Sequence, residues 1–199
     1  MKYEAVIFDC FGVLASEAWK IFFDKHFAHD ADKSRLAAVY NLDADRGLYS
    51  FEERMKYMAG LAAIPESQVR SELLYRTLNT ELLDYIASSL TGRYTTVVLS
   101  NVGKGIHTEQ FHKWKQTIFD HVILSCDIGL IKPDREIFDY TLRVLGVSAQ
   151  QCLFIDDRKQ NIDSAQTIGM TALQYADTKS TIDAIERELH GDHDEQNSR

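Results

Sequence analysis

The sequence predicts an α/β fold, a parallel sheet covered by helices, with a helical block inserted after the first strand. Three observations carry this. Lys2 to Asp9 is a short, nearly all-apolar run ending on a carboxylate, the pattern of a strand buried on both faces. From Ser16 to about Leu90 almost nothing is strand-like. Beyond Leu90, short apolar runs alternate with helical patterns, which requires crossover connections and therefore parallel strands.

Each element has a local reason. Ser16 is positioned to cap a helix whose Trp19, Phe22, Phe23 and Phe27 recur at helical spacing. Leu36, Val39 and Tyr40 suggest a second, shorter helix. Ser50-Phe51-Glu52-Glu53 is a capping box, opening a helix with Phe51, Met55 and Met58 on one face. Pro65 starts another, with Val69 and Leu73 four apart. Leu82, Leu83, Ile86 and Leu90 continue as a helix that stops at Gly92. Strands are then expected at Tyr94–Leu99, Val122–Ser125, Cys152–Ile155 and Thr171–Gln174. Helices are expected between them at Ile106–Trp114, Pro133–Leu145 and Ile162–Ile168, and after them at Ser180–Leu189. The boundaries that follow are a core of residues 1–14 and 86–190, an α-helical cap over 15–85, and a polar, disordered tail over 191–199.

The bulk numbers exclude several classes. With 199 residues and 45% hydrophobic content, the chain has material for a full core and is not disordered as a whole. A net charge of -8 argues against nucleic acid or an anionic membrane as the main partner, because both select a cationic surface. No apolar run approaches bilayer length, and the start of the chain enters the first strand without a leader pattern. The three cysteines, Cys10, Cys126 and Cys152, are widely spaced without metal spacing, so reduced, buried roles in a cytoplasmic protein are expected.

Polar groups recur where the strands end, which is where parallel sheets carry their chemistry. The first strand gives Asp9. The second gives Ser100-Asn101, followed by Gly103 before a helix, a setting in which backbone amides face an anion. Lys132 directly precedes Pro133 and its helix, and the fourth strand ends on Asp156-Asp157. Adjacent buried carboxylates repel and call for a cation, and an all-oxygen set suits Mg²⁺. In such a site Asp9 is placed to attack phosphorus, while Ser100 and Lys132 hold phosphoryl oxygens. Singly, Ser100 reads as a helix cap, Lys132 as a solvated lysine and Asp156-Asp157 as a surface acidic pair. That all four close successive strands in this order points instead to one site.

In this order the segments Ile7-Phe8-Asp9-Cys10-Phe11-Gly12-Val13, Leu99-Ser100-Asn101, Lys132-Pro133-Asp134 and Phe154-Ile155-Asp156-Asp157 resemble the motifs of the haloacid dehalogenase-like hydrolase superfamily. Asn161-Ile162-Asp163-Ser164-Ala165 and Gly169-Met170 match the helix that usually follows its acidic pair. Arg46-Gly47-Leu48-Tyr49-Ser50-Phe51-Glu52-Glu53 is similar to a cap signature of its small-phosphate phosphatases. The resemblance covers nearly the whole chain except the tail. It implies a Rossmann-like three-layer α/β/α parallel sheet with an α-helical cap, and a Mg²⁺-dependent phosphatase acting on a small phosphorylated metabolite such as a sugar phosphate. By resemblance, Asp9 is the nucleophile and a metal ligand, and the Phe11 backbone carbonyl is a second ligand. Asp157 is a direct ligand and Asp156 holds a metal-bound water. Ser100, Asn101 and Lys132 bind the phosphoryl group.

One position departs from the pattern. Most phosphatases of the family carry a second Asp two residues after the nucleophile as general acid and base; this chain has Phe11. Positioned acid–base catalysis is worth about 10²–10⁴-fold in rate. Three outcomes stay open: substrates with good leaving groups, a proton donor from the cap (Glu17, Asp24 or His26), or a weak relative that works by binding a phospho-ligand or protein partner. The glucose-1-phosphate phosphatase-like branch also lacks that Asp. True 2-haloacid dehalogenases carry an aromatic residue there but replace the acidic pair and need no metal, so Asp156 and Asp157 rank dehalogenation low. His26, His29 and Asp30 on one cap segment read as an exposed polar face rather than a metal site. Gly103-Lys104-Gly105 lacks the rest of a nucleotide-cradling loop.

Overall fold

The computed structural model describes residues 2–106 and 108–191, so the expected tail, 191–199, falls outside it except for Gly191. The chain opens with β1 (Ala5–Phe8) and then leaves the sheet for four helices: α1 (Ala18–His26), α2 (Ala31–Asp45), α3 (Phe51–Ala62) and α4 (Glu66–Leu74). It returns through α5 (Thr80–Tyr85), which runs on as a π-helical turn over Ile86–Leu90. Strands and helices then alternate: β2 (Thr95–Ser100), α6 (Thr108–Thr117), β3 (His121–Leu124), α7 (Ser125–Ile128), α8 (Arg135–Leu145), β4 (Cys152–Asp156), α9 (Lys159–Thr167), β5 (Thr171–Gln174) and α10 (Thr178–His190).

The five strands lie in the order β3-β2-β1-β4-β5 and every pairing is parallel, which puts β1 at the centre. Successive side chains of a strand face opposite ways, and both faces are buried. Val6, Phe8, Val98, Leu153 and Ile155 pack on one side with residues of α5, α6 and α10. Ala5, Ile7, Val97, Leu99 and Phe154 pack on the other with residues of α8 and α9. This is the expected three-layer sandwich. Among the described residues no helix is long and apolar enough to cross a membrane, and all three cysteines are free and buried.

The helical block has an apolar cluster of its own, built on Phe22, Phe27, Met55, Met58, Val69 and Leu73. The capping box forms as expected: the Glu53 N–H donates to Ser50 Oγ and the Ser50 N–H to Glu53 Oε2. Two expectations need correction. Ser16 does not cap α1; the chain there is still extended, and its hydroxyl accepts the Thr77 N–H of the returning connector instead. The second helix is not the shorter one: α2 has 15 residues against 9 in α1, and it packs through Ala37, Asn41 and Ala44 while Leu36 and Val39 face solvent, because small side chains let it approach its neighbours closely. Asp30 caps α2 and His26 bonds Glu72, so those residues serve helix ends and packing. Leu82 and Leu83 join the cluster of the sheet, so the chain is back in the core by α5, ahead of residue 86.

The block sits over the carboxyl ends of the strands. Ser125 Oγ donates to the Asp45 carbonyl at 2.5 Å, and Arg46 pairs with Asp134 at 3.2 Å. Gly47, at φ +78°, lies so close to α7 that an added Cβ would stand 2.3 Å from the Cys126 carbonyl oxygen. Only glycine fits that seam.

Glu72 joins α4 to α1, accepting from Lys25 Nζ and from His26 Nε2, each at 2.7 Å. Burial works against its charge, but hydrogen bonds from Lys25, Gln68 and His26 hold its carboxyl down at about 2. A depressed folded value means stability present above the unfolded carboxylate range and lost as the pH falls towards 2. Glu72→Gln should therefore cost about 1 kcal/mol at pH 7. In urea titrations run at a series of pH values, the gap to the wild type should close between pH 5 and 2.

Candidate active site

Asp9 follows the last residue of the central strand, and its N–H continues the ladder to the Ile155 carbonyl at 2.8 Å. This fixes the carboxylate next to the end of β4, where Asp156 and Asp157 emerge. Lys132 reaches between them. Its Nζ donates to Asp9 Oδ1 at 2.6 Å and to Asp156 Oδ2 at 2.7 Å, with the ammonium almost fully buried. Asn101 holds the lysine in place from the end of β2. Its Nδ2 donates to the Lys132 carbonyl at 2.8 Å, and its Oδ1 accepts the Lys132 N–H at 2.9 Å. The Lys132–Pro133 peptide is cis.

Asp156 is fully engaged. Besides Lys132 it accepts from Asn161 Nδ2 at 2.9 and 3.0 Å and from the Arg158 N–H at 2.9 Å. Asp157 is different: its Oδ1 is buried without a hydrogen-bond partner among the described residues. Burial raises the Asp9 carboxyl to about 7, with Lys132 pulling down and Asp156 and Asp157 pushing up. Burial, Asp156 and Glu17 raise Asp157 to about 6. Burial alone would lower Lys132, but Asp156 and Asp9 override it and raise it. The lysine stays charged between its two acids.

One carboxylate oxygen from each of Asp9, Asp156 and Asp157 lies within 4.8 Å of the others, the one such cluster among the described residues. At Gly12, φ +100°, an added Cβ would stand 2.5 Å from Asp157 Oδ2, so the backbone that carries the Phe11 carbonyl runs against this carboxylate. Hard oxygen donors, surplus negative charge and an orphaned carboxylate oxygen together fit a small divalent cation such as Mg²⁺.

Above the cluster is a cavity of about 420 Å³, lined on the core side by Asp9, Phe11, Asn101 and Lys132 and on the cap side by Trp19, Leu42, Arg54 and Arg76. Ser100 ends β2 fully buried, and its hydroxyl hydrogen bond runs to the Asn101 carbonyl at 3.5 Å; Asn101 and Val102 form the cavity wall at this point. Of the three cap groups considered as proton donors, only Glu17 lines the cavity, where it accepts from Arg158. Asp24 pairs with Lys20 on the surface and His26 with Glu72. Arg54 and Arg76 carried no motif. Arg54 is buried against Asn41 and Asp45, and its side chain fills the space beside Gly103. Asn161 was legible only as part of a helix motif, and its amide is what orients Asp156.

Removing the central ammonium would leave two buried carboxylates facing each other. Lys132→Met should cost about 3–5 kcal/mol. Scanning calorimetry at neutral pH should show this as a drop of about 6–20 °C in Tm.

Comparison with known proteins agrees with this geometry. A family model described as haloacid dehalogenase-like hydrolase matches residues 6–174. Bifunctional epoxide hydrolase 2 of Rattus norvegicus is 27% identical over 137 residues, covering 63% of this chain and 24% of that protein. A sesquiterpene phosphatase of Aspergillus oryzae is 33% identical over 73 residues, 37% of this chain and 36% of that protein. The chain thus spans between a quarter and a little over a third of these relatives. Among solved structures, a HAD-like hydrolase from Porphyromonas gingivalis superposes with a TM-score of 0.75 at 24% identity, covering 96% of this chain and 99% of that one. A HAD family enzyme from Bacteroides thetaiotaomicron, in complex with magnesium and inorganic phosphate, gives 0.71 at 21% identity over 90% and 98% of the two chains. With most of its length matched by the family model, and with the sheet order and cap on the page, the chain belongs to the haloacid dehalogenase-like hydrolases.

Proposed function

We propose that this protein is a Mg²⁺-dependent phosphatase that hydrolyses a small phosphorylated compound through an aspartyl-phosphate at Asp9. The observation that carries the reading is the buried Asp9–Lys132–Asp156 array, whose Asp9 and Lys132 line the cavity under the cap, with Asp157 beside it holding an unpaired oxygen. Asp9, Asp157 and the Phe11 carbonyl would hold the ion, with Asp156 behind them, and the bound ion supplies charge neutralisation for the phosphoryl oxygens.

The residues of the chain supply the remainder. An Asp9 oxygen forms the new bond to phosphorus as the ester oxygen departs with its electron pair and takes up a proton. Water then attacks the aspartyl-phosphate, releasing inorganic phosphate and restoring the carboxylate. Lys132 opposes the rise that burial imposes on the Asp9 carboxyl, orients it and donates towards the phosphoryl oxygens. The Asn101 amide, on the cavity wall, would complete the phosphoryl grip, with the Ser100 hydroxyl buried behind it. The cap over the cavity keeps water away from the first step.

Proton delivery to the leaving group is where this chain differs. The phenyl ring of Phe11 transfers no proton; on the cap side Glu17 and Asp45 are the cavity-lining carboxyls, Glu17 held by Arg158 and Asp45 by Arg54 and Asn41. Substrates with good leaving groups, sugar-1-phosphates and acyl phosphates among them, fit this arrangement best. The bound magnesium and phosphate of the Bacteroides thetaiotaomicron enzyme and the phosphatase name of the Aspergillus oryzae relative support the reading. The alternative of a metal-independent dehalogenase fits less well, because a three-carboxylate cluster has no use in a reaction without a cation.

Phosphate release should be measured on a panel of sugar phosphates, an alkyl phosphate and an aryl phosphate. Activity should vanish in Asp9→Asn and on chelation. The aryl phosphate should exceed the alkyl one in kcat/KM by about 10²–10⁴-fold, the usual worth of the missing acid. Absence of release from every ester by a folded protein overturns the proposal, and halide release that survives a chelator would favour dehalogenation.

A further inference from the structure

Five cationic side chains line the cavity: Arg46, Arg54, Arg76, Lys132 and Arg158. Four are matched to carboxylates. Arg46 pairs with Asp134 at 3.2 Å, Arg54 with Asp45 at 3.4 Å, Lys132 with Asp9 and Asp156, and Arg158 with Glu17. Arg76 has no acid among the described residues. Its Nη1 donates to the Leu73 and Tyr75 carbonyls at 2.8 and 3.1 Å, and its Nε is buried with no hydrogen-bond partner. Burial lowers its guanidinium to about 10, opposed by Cys10 and helped by Arg54.

A cation held in a cavity without a counter-charge costs stability unless something else satisfies it. Arg76 is also held rigid. Its guanidinium carbon stands 4.5 Å from the centroid of the Phe11 ring, and that ring meets Phe111 edge-on at 6.3 Å. Stacking of this kind fixes the plane of the guanidinium while leaving its edge for a ligand. Phe11 is two residues beyond Asp9, so the platform stands beside the nucleophile and Arg76 is on the cap side of it.

We propose that Arg76 binds a second anionic group on the leaving-group side of the substrate, so that the compound hydrolysed is a phosphate ester bearing a carboxylate or a further phosphate. This rests on the phosphatase reading and narrows it. Phe11 is then the support of a specificity residue, which is a positive reason for a ring where an acid is usual. Arg76 is a binding residue and takes no part in bond breaking.

The test uses non-hydrolysable phosphonates in excess Mg²⁺, with binding followed by calorimetry. Phosphonoacetate carries a carboxylate, methylenediphosphonate a second phosphonate, and ethylphosphonate neither. A charge-assisted pair to a fixed guanidinium should make at least one of the first two bind about 10- to 100-fold more tightly than ethylphosphonate. Which of them gains identifies the second anion. Arg76→Met should lose far more on the doubly charged probes than on ethylphosphonate, and Arg76→Lys should recover part of the loss. Equal binding of all three probes by the wild-type protein overturns the proposal without needing any variant to fold. So does an Arg76→Met loss that is the same for every probe. If aryl phosphate is hydrolysed but the preference is absent, Arg76 is misassigned and the phosphatase reading stands. If the preference is present and no ester is hydrolysed, the anion site stands and the phosphatase reading falls.

Discussion

The arrangement depends on one buried cation between two buried anions. The Lys132 ammonium bridges Asp9 and Asp156 where two neighbouring strands end, at 2.6 and 2.7 Å. None of these groups would be tolerable alone at that depth. Together they lock the ends of β1 and β4 to the start of the α8 segment, and Asn101 adds the end of β2 by gripping the Lys132 backbone from both sides. The sheet determines where the acids stand, and the lysine opposes the rise that burial imposes on the Asp9 carboxyl. A buried pair of this kind is poor evidence of added stability but a strong constraint on geometry.

The second constraint is the cap, whose packing is separate from that of the sheet. Its apolar cluster shares little with the two clusters flanking the strands, and polar contacts make much of the seam: Ser125 with the Asp45 carbonyl, Arg46 with Asp134, Glu17 with Arg158. A polar seam tolerates separation better than an apolar one, since its groups find water when parted. The glycines at 47 and 103 sit where the parts come closest, and each would meet a neighbour across the seam within 2.5 Å if it carried a Cβ.

Much of this was legible in the sequence. The strands were, because parallel strands buried on both faces leave continuous apolar runs, and the acids at their ends stand out against that background. The capping box at Ser50 was legible because both partners are local. What escaped notice depends on contacts distant in sequence. Ser16 looked like a cap, yet its partner Thr77 belongs to another stretch of chain. The apolar residues of α2 understate its length, because close helix packing there uses Ala37 and Ala44, which leave no apolar stripe in the sequence, and exposes Leu36 and Val39. The resemblance gives Asp157 and Asp156 different places at the metal, but the cause is not legible in the sequence: three donors occupy Asp156 and leave an oxygen of Asp157 unpaired. Arg76 has no motif at all; what distinguishes it is a missing partner, which only the assembled cavity can reveal.

The two connectors that join cap to core run side by side. Ala15 bridges Leu78, the Ser16 N–H donates to the Thr77 carbonyl, and the Asn79 N–H donates to the Leu14 carbonyl, both at 2.9 Å. Laced in this way they form a single ribbon rather than two independent strings, so the helical block is joined to the core at one place. Arg76 belongs to that ribbon. An anion held there, as proposed, would lie at the junction itself, where a guest braces the one place at which cap and core are tied.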